Sequence, residues 1–252
     1  MIYLKTAQEI DAIRQSCRIV AEVLALVGSQ VRPGVSTIEL DRVAEEYIRS
    51  RGATPAFKGY GHSDDNLFPA TLCTSIDAVV VHGIPGERTL KEGEIIGIDV
   101  GVKYKGFFGD AARSFRVGKV SPEKERLLNV TEESLAKGVE QAVAGNTVHD
   151  ISAAVQKHVE AQRFSVVRDL TGHGVGKELH EEPAVPNFGK AGTGERLQAG
   201  MTLAIEPMVN AGTWKVRIAS DGWTVLTEDG KPSAHFEHTV AITSGAAEIL
   251  TQ

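Results

Sequence analysis

Apolar side chains recur every three or four residues in four segments of the chain, the spacing of helices that bury one face. The segments run from Thr6 to about Gln30, Ser36 to about Ser50, Pro122 to Ala144 and Thr147 to Gln162. Three of them begin with Ser or Thr placed three residues before an acid, which is a capping box at a helix start. These pairs are Thr6 with Glu9, Ser36 with Glu39, and Thr147 with Asp150.

Apolar, β-branched runs between the helices predict strands. The predicted strands are Leu72–Ser75, Ala78–Val81, Ile95–Val102, Gly106–Val117, Ser165–Asp169, Met201–Val209, Trp223–Leu226 and His235–Thr243. Lys103–Gly106 is the natural turn between two of them, so Asp99 and Asp110 should lie near each other across a hairpin. Residues 59–68 are predicted to form an exposed loop. Helices and strands together favour an α+β or α/β architecture.

Four carboxylates interrupt the apolar strands, where a folded chain does not tolerate isolated charges. Asp99 and Glu206 each lie inside an apolar run, and Asp110 and Glu237 follow in two further strand-like stretches. His173 lies in a glycine-rich segment. An isolated buried carboxylate costs several kcal/mol unless something pairs with it. Because no Lys or Arg is adjacent to Asp99 or Glu206, convergence on divalent metal is the simplest explanation.

The chain repeats itself around these acids. Leu90–Val102 aligns with Leu197–Val209 at an offset of 107, and Gly34–Leu40 aligns with Gly145–Ile151 at an offset of 111. An acid occupies the same place in both copies of the longer motif, which favours an internal repeat over chance similarity. We therefore expect one catalytic domain over residues 1–252, built from two related halves at about 1–118 and 119–252.

Composition sets bounds on the function. The chain has 252 residues, 42% of them hydrophobic and 24% charged, as in an ordinary globular protein. The net charge of −6 offers no basic face for specific nucleic-acid binding. Cys17 and Cys73 suggest no disulfide framework, which fits a reducing compartment. No signal peptide and no membrane-spanning run is visible, so we expect a cytoplasmic protein.

The predicted set of ligands limits which metal ions the site can bind. Four carboxylates and one imidazole are too many for a single tetrahedral zinc site. They suit two ions that share bridging carboxylates. One imidazole among oxygen ligands favours Mn, Fe, Co or Zn over calcium.

Five strings in the sequence together resemble a known family, over nearly the whole chain. They are VVVHGIP (79–85), IDVG with GFFGDAARSF, GHGVGKELHEEP (172–183), IEPMV (205–209) and FEHTVAIT (236–243). The family is methionine aminopeptidase type I, in its short bacterial form because no zinc-finger-like extension is present. The resemblance implies the pita-bread (creatinase/aminopeptidase) fold, α+β, with two pseudo-symmetric halves around a mainly antiparallel sheet.

The resemblance also implies roles for the residues that match the family's motifs. Asp110 and Glu237 would bridge two divalent ions, Asp99 would complete one ion, and His173 with Glu206 would complete the other. A nearby monovalent-cation site is also implied, although Asp77 stands where the family usually has Asn.

Six residues are implied to contact the substrate. His82 and His180 match the two histidines that contact it without binding metal. The methionine pocket would include Tyr60, Phe68, Cys73 and Trp223, for which plain core packing is the alternative; for Cys73 the two interpretations are equally favoured.

Further features qualify the resemblance. Leu179 replaces a common aromatic, and the loop over residues 61–67 is longer than in the family. His149, His158 and His238 are expected to be structural. Glu181 and Glu182 are expected either to face solvent or to orient His180.

The implied activity is removal of the initiator methionine from nascent proteins whose second residue is small. A hydroxide bridging the two metals would attack the first carbonyl, Glu206 would shuttle the proton, His180 would stabilise the oxyanion and His82 would assist the leaving amide. The partners would be the N-termini of nascent chains and, transiently, the ribosome. We expect a monomer.

Two alternatives stay open at this stage. The first is a proline-directed peptidase of the same fold, but such enzymes usually carry an N-terminal domain, and Asp99 arrives too early in the chain for one. The second is a non-catalytic binding module for nucleic acid or ribosomes. Such relatives lose ligands, whereas this chain keeps all five.

Overall fold

The helices begin at the capping residues that the sequence predicts. The structure is a computed structural model, and it describes residues 1–61 and 66–252. The backbone N–H groups of Thr6, Ser36 and Thr147 each donate to the acid three residues later, at 2.9, 2.8 and 2.7 Å. The helices are α1 (Ala7–Gly28), α2 (Thr37–Ser50), α3 (Pro122–Gln141) and α4 (Val148–Ala161).

The strands are short apart from one long hairpin. The first half contains β1 (Thr54–Pro55), β2 (Leu72–Ile76), β3 (Val79–Val81), β4 (Ile95–Tyr104) and β5 (Phe107–Arg116). The second half contains β6 (Ser165–Val166), β7 (Thr171–Gly174), β8 (Glu181–Pro186), β9 (Thr202–Ile205), β10 (Met208–Asn210), β11 (Val216–Ile218), β12 (Val225–Thr227), β13 (Ser233–His235), β14 (His238–Ala241) and β15 (Glu248–Ile249).

Within the described residues the strands form four small sheets. One has the order β1-β4-β2 with β5 paired to β4, and another has the order β15-β14-β9-β7-β8. The two three-stranded sheets are β13-β10-β6 and β11-β12-β3. The ladders within residues 1–61 and 66–252 are antiparallel. The α+β prediction with mainly antiparallel pairing is confirmed.

The β4–β5 hairpin brings the first two acids together. Asp99 pairs with Ala112, and Gly101 pairs with Asp110. Since side chains alternate between the faces of a strand, Asp99 and Asp110 are diagonal neighbours on one face of the hairpin. The predicted proximity of these two carboxylates is therefore confirmed.

Two predicted strands are wrong as continuous elements. Met201–Val209 is divided into β9 and β10, and His235–Thr243 into β13 and β14. The members of each pair belong to different sheets, so the chain changes sheet at Glu206 and again at Glu237. Pro207 has no N–H to donate to a ladder, which accounts for the first break. Both acids thus lie at junctions between sheets, not in the middle of strands.

The helices cover the outer face of the strands. In the first half α1 lies directly on β5, where a side chain at Gly109 would meet the Cys17 backbone at 2.6 Å. The first core cluster joins α1 and α2 to β2, β4 and β5, and the second joins α3 and α4 to β9 and β14. No helix in the described ranges combines the length and apolar character needed to cross a bilayer.

Matched backbone contacts occur in the two halves of the chain. Gly34 N–H donates to the Leu90 carbonyl at 2.8 Å, and Gly145 N–H donates to the Leu197 carbonyl at 2.9 Å. These residues belong to the segments that align in the sequence. The division into two related halves, 1–118 and 119–252, stays a prediction.

Candidate active site

A cavity of about 370 Å³ lies where the four acids, His173 and the predicted substrate-contacting residues meet. Its lining consists of Phe57, Tyr60, Phe68, Cys73, His82, Asp99, Asp110, His173, Leu179, His180, Glu206, Trp223 and Glu237. Every predicted metal, catalytic and pocket residue is in this set. A larger groove of about 990 Å³ includes only Glu237 of the five predicted ligands.

Three of the predicted ligands form the tightest group. Ligand atoms of Asp110, His173 and Glu237 lie within 4.8 Å of one another. Asp110 and Glu237 are each 3% exposed, so water solvates neither carboxylate well. Adjacent backbone contacts fix both acids, because Glu237 N–H donates to the Ala112 carbonyl at 2.8 Å and Asp110 N–H donates to the Thr239 hydroxyl at 3.3 Å.

His173 is held with one ring nitrogen facing the acids. Its Nδ1 lies 2.9 Å from the Gly174 carbonyl oxygen, which can only accept, so Nδ1 carries the proton. Its Nε2 lies 3.5 Å from a Glu206 oxygen and 4.0 Å from an Asp110 oxygen. Burial, together with the nearby His180, lowers the pKa of His173 to about 3. The neutral ring therefore presents a lone pair to the carboxylates.

Several buried oxygens in the cavity lack a hydrogen-bond partner among the described residues. They are Asp99 Oδ1, Asp110 Oδ1 and Glu237 Oε1. Native proteins rarely leave buried polar atoms unpaired, and each such atom needs an explanation.

The pKa shifts in the protein without metal agree with this picture. Burial raises the pKa of Asp99 well above its usual range, and the neighbouring Asp110 and Glu206 carboxylates raise it further. Burial likewise raises the pKa of Glu237, and it raises that of Glu206 to about 8. Hard oxygen donors and one neutral imidazole that converge without counter-charges fit divalent metal.

The two predicted substrate histidines come from different segments of the chain and line the same cavity. His180 follows the turn after β7, and its ring centroid is 4.3 Å from that of His173. Its Nδ1 lies 2.6 Å from the Tyr60 hydroxyl. His82 follows β3 with a φ of 58°, a left-handed conformation uncommon outside glycine and frequent at functional sites. Burial lowers the pKa of His82 to about 4.

The remaining wall of the cavity is apolar. Phe68 and Trp223 meet edge to face with centroids 5.3 Å apart, and Cys73 is buried beside them. Burial raises the Cys73 thiol pKa well above its usual value, and Asp99 raises it further. Leu179 and Phe57 belong to the same packed cluster. The four residues predicted for a methionine pocket thus share one wall, next to the acids.

Other residues noted in the sequence lie outside the cavity. His149, His158 and His238 bond Thr193, Glu133 and Thr251 at 2.7, 3.0 and 2.8 Å. The Asp77 carboxylate accepts from Lys124 Nζ at 2.6 Å. Of the longer loop at 61–67, positions 62–65 lie outside the described residues.

Comparison with known proteins assigns the family. The pattern of Metallopeptidase family M24 matches residues 11–244, nearly the whole chain. The chain belongs to metallopeptidase family M24. Membership implies that this M24 enzyme is a hydrolase that uses divalent metal.

The relatives within the family are consistent with one another. The methionine aminopeptidase of Clostridium perfringens is 54% identical, over 100% of this chain and 99% of that protein. Methionine aminopeptidase 1 of Bacillus subtilis is 49% identical over the full length of both. The crystal structure of methionine aminopeptidase from Thermotoga maritima superposes with a TM-score of 0.97 at 43% identity, covering 100% of both chains. The resemblance to methionine aminopeptidases and the pita-bread fold are confirmed.

One buried side chain of this M24 enzyme was missed by the sequence analysis. His235 Nε2 lies 3.5 Å from the second Glu206 oxygen and has no hydrogen-bond partner in the described part of the chain. A signal was available, because alternation along the predicted strand His235–Thr243 would place His235 on the same face as Glu237 two residues later. Phe57 was missed as well, since a lone Phe before a loop has no distinguishing pattern.

Proposed function

We propose that this enzyme is a methionine aminopeptidase that removes the initiator methionine from new polypeptides when the second residue is small. One observation carries the proposal: four carboxylates and one imidazole, two of them buried and three partly buried, line the same cavity as a group of apolar side chains. The identity of 54% and 49% to proteins named methionine aminopeptidase supports it.

The five donors would hold two divalent ions. Asp110 and Glu237 are the proposed bridges, because with His173 they form the tightest cluster of ligand atoms. Asp99 would complete one ion, and His173 with Glu206 the other. When bound, first-row divalent metal supplies Lewis acidity and lowers the pKa of a water nucleophile. A monovalent-cation site near Asp77 stays part of the proposal.

His180 is the proposed donor to the carbonyl oxygen of the bond that breaks. If the Tyr60 hydroxyl donates to Nδ1 across their 2.6 Å contact, the ring proton resides on Nε2. That N–H could then donate to the oxygen as negative charge develops on it. Tyr60 would thus set the tautomer of His180 besides forming part of the pocket.

Glu206 and His82 would handle the remaining proton and the amide. Glu206 is the proposed proton shuttle between the attacking water and the leaving amine. The partly buried, neutral His82 would contact the scissile amide nitrogen. His235 lies beside the Glu206 oxygen that does not face His173, so we propose that it orients this carboxylate.

The apolar wall would receive the methionine side chain. Tyr60, Phe68, Cys73 and Trp223 line the same cavity as the acids. A thioether is flexible and polarizable and packs well against aromatic rings. Action as a cytoplasmic monomer on nascent N-termini, with transient ribosome contact, stays part of this proposal and rests on the family resemblance.

A peptidase assay tests the proposal. The protein is chelated, then Mn, Fe, Co or Zn is added back, and Met-Ala-Ser is compared with Xaa-Pro peptides. We expect methionine release that depends on metal, with the Xaa-Pro peptides left intact. His158→Gln is a matched control, because this histidine bonds Glu133 outside the cavity and should not affect turnover. Preferential Xaa-Pro cleavage, or full activity after chelation, would contradict the proposal.

A further inference from the structure

The segment that precedes α1 is tied to the turn that carries His180. We call residues 1–5 the strap and residues 175–180 the His180 turn. Lys5 Nζ in the strap lies 2.6 Å from Glu181 Oε2, and the two side chains are only 6% and 9% exposed. Lys5 N–H also donates to the Gly200 carbonyl at 2.8 Å, which fixes the strap's backbone. Met1, Tyr3 and His180 line one common cavity of about 500 Å³.

The Glu181 carboxylate holds the backbone of the His180 turn through hydrogen bonds. Its other carboxylate oxygen accepts from the backbone N–H groups of Lys177 at 2.7 Å and Glu178 at 3.2 Å. A side chain at Gly176 would overlap both the Glu181 carboxylate and the Lys5 side chain. The turn is therefore built around this ion pair, and the residue that follows His180 is the one that Lys5 holds.

A second ion pair joins the His180 turn to the first turn of α1, next to the strap, but it differs in its surroundings. Lys177 Nζ lies 3.2 Å from Glu9 Oε1, and its side chain is 70% exposed. Water and salt screen such a pair, so it contributes little. Removal of one partner from a buried pair instead leaves an uncompensated charge, which the surrounding chain must move to solvate. Lys5 should therefore affect the turn, and Lys177 should not.

We propose that Lys5 is a positioning residue for catalysis: through Glu181 it fixes the His180 turn, and so holds the His180 ring over His173 and against Tyr60. The inference rests on the role proposed above for His180. It adds that the strap, for which we propose no metal ligand and no hydrogen bond to substrate, affects kcat through the position of His180.

A double-mutant cycle between Lys5 and His180 tests the inference in the metal-loaded enzyme. Lys5→Met should lower kcat on Met-Ala-Ser by roughly 10- to 100-fold, because a displacement of about 1 Å in a catalytic group has effects of this size. KM and bound metal should stay near wild-type values. In the His180→Ala background Lys5→Met should cause no further loss, since the group it positions is absent. Lys5→Arg keeps the cation and should recover most of kcat.

The controls separate the possible failures. Lys177→Met should keep kcat within about twofold of wild type, as an exposed pair predicts. Equal losses from Lys5→Met with and without His180 would overturn the inference, because Lys5 would then act through general stability. Wild-type kcat in Lys5→Met would overturn it too. Wild-type kcat in His180→Ala would instead remove the proposed role of His180, and the inference with it. If Lys5→Met does not fold, Glu181→Gln enters the same cycle with an amide oxygen that still accepts from the turn.

Discussion

His173 points its Nε2 at Glu206 across 3.5 Å while its Nδ1 proton is engaged by the neighbouring Gly174 carbonyl. A lone pair that faces an ionised carboxylate oxygen is unfavourable unless a proton or a metal cation lies between them. The hydrogen bond on the far side of the ring fixes the tautomer that a metal ligand requires. The imidazole is thus prepared for metal by its own backbone.

Loss of either carboxylate proposed as a bridge, Asp110 or Glu237, should abolish both metal binding and activity. In Asp110→Ala or Glu237→Ala we expect bound metal to fall below one ion per chain and kcat/KM to fall by at least roughly 10³-fold, because bound metal contributes several kcal/mol to such reactions. Metal analysis and a Met-Ala-Ser assay on the same sample check this. Glu133→Ala, which removes a carboxylate outside the cavity, is the control. Full activity in Asp110→Ala or Glu237→Ala would contradict the proposal that these residues bridge two metal ions.

Removal of His180 should separate chemistry from metal binding. We expect His180→Ala to keep its metal while kcat falls by roughly 10²–10³-fold, the range for loss of one oxyanion donor. Tyr60→Phe should show a smaller loss, since it removes only the hydroxyl that contacts Nδ1. Metal content should be measured together with kcat. Loss of metal from His180→Ala would show that His180 is a metal ligand and would contradict its assignment as a donor to substrate.

The metal-free protein should lose stability as pH rises from about 7 to about 8, above the range in which its buried histidines titrate in the unfolded chain. Burial raises the pKa of Glu206 from 4.5 to about 8, and the pKa values of Asp99, Asp110 and Glu237 rise as well. A carboxyl with a raised folded-state pKa stabilises the fold fully below its unfolded value and loses that contribution as pH rises through the folded value. Thermal unfolding in chelator at pH 7, 7.5 and 8 should give a falling Tm, whereas below about pH 6.5 the lowered pKa values of the buried histidines act in the opposite direction.

The metal-loaded protein is the control for this measurement. Metal holds the carboxylates ionised, so its Tm should not fall in the same window while metal stays bound. A chelated protein whose Tm is constant or rises between pH 7 and pH 8 would contradict the picture of buried acids without counter-charges.

The second residue of the substrate should be restricted to small side chains. That residue must lie close to the acids while the first carbonyl is attacked, so a large side chain there should clash. We expect rapid cleavage of Met-Ala, Met-Gly and Met-Ser peptides and little cleavage of Met-Leu or Met-Lys peptides. Leu or norleucine in the first position should be poor and not excluded, because each missing methylene is worth only about 1–3 kcal/mol. Comparable kcat/KM on Met-Ala-Ser and Met-Lys-Ser would contradict the restriction.

The parts of the site that depend on local pattern were predictable from the sequence. Asp99 and Asp110 stand in one hairpin with a short turn, so their proximity follows from alternation alone. The starts of α1, α2 and α4 were also predictable, because the two residues of each capping box are only three positions apart in the sequence.

The parts that depend on distant packing were not predictable in this way. The apolar run around Glu206 looks like one strand, yet its two ends pair with different sheets, and only those partners decide where the strand stops. The strands β7 and β8 were missed because glycines and prolines weaken their pattern. The position of His235 against Glu206 likewise results from the meeting of β13 and β10.

The changes of sheet at Glu206 and Glu237 have a consequence for the order of folding. The proposed ligands come from segments between residue 99 and residue 237, and two of them acquire their positions only when separate sheets have joined. Contacts between remote segments form late, because a long loop must close first. A partly folded chain should therefore have little affinity for the ions. Metal binding should be a late step that stabilises the protein only after the sheets have joined.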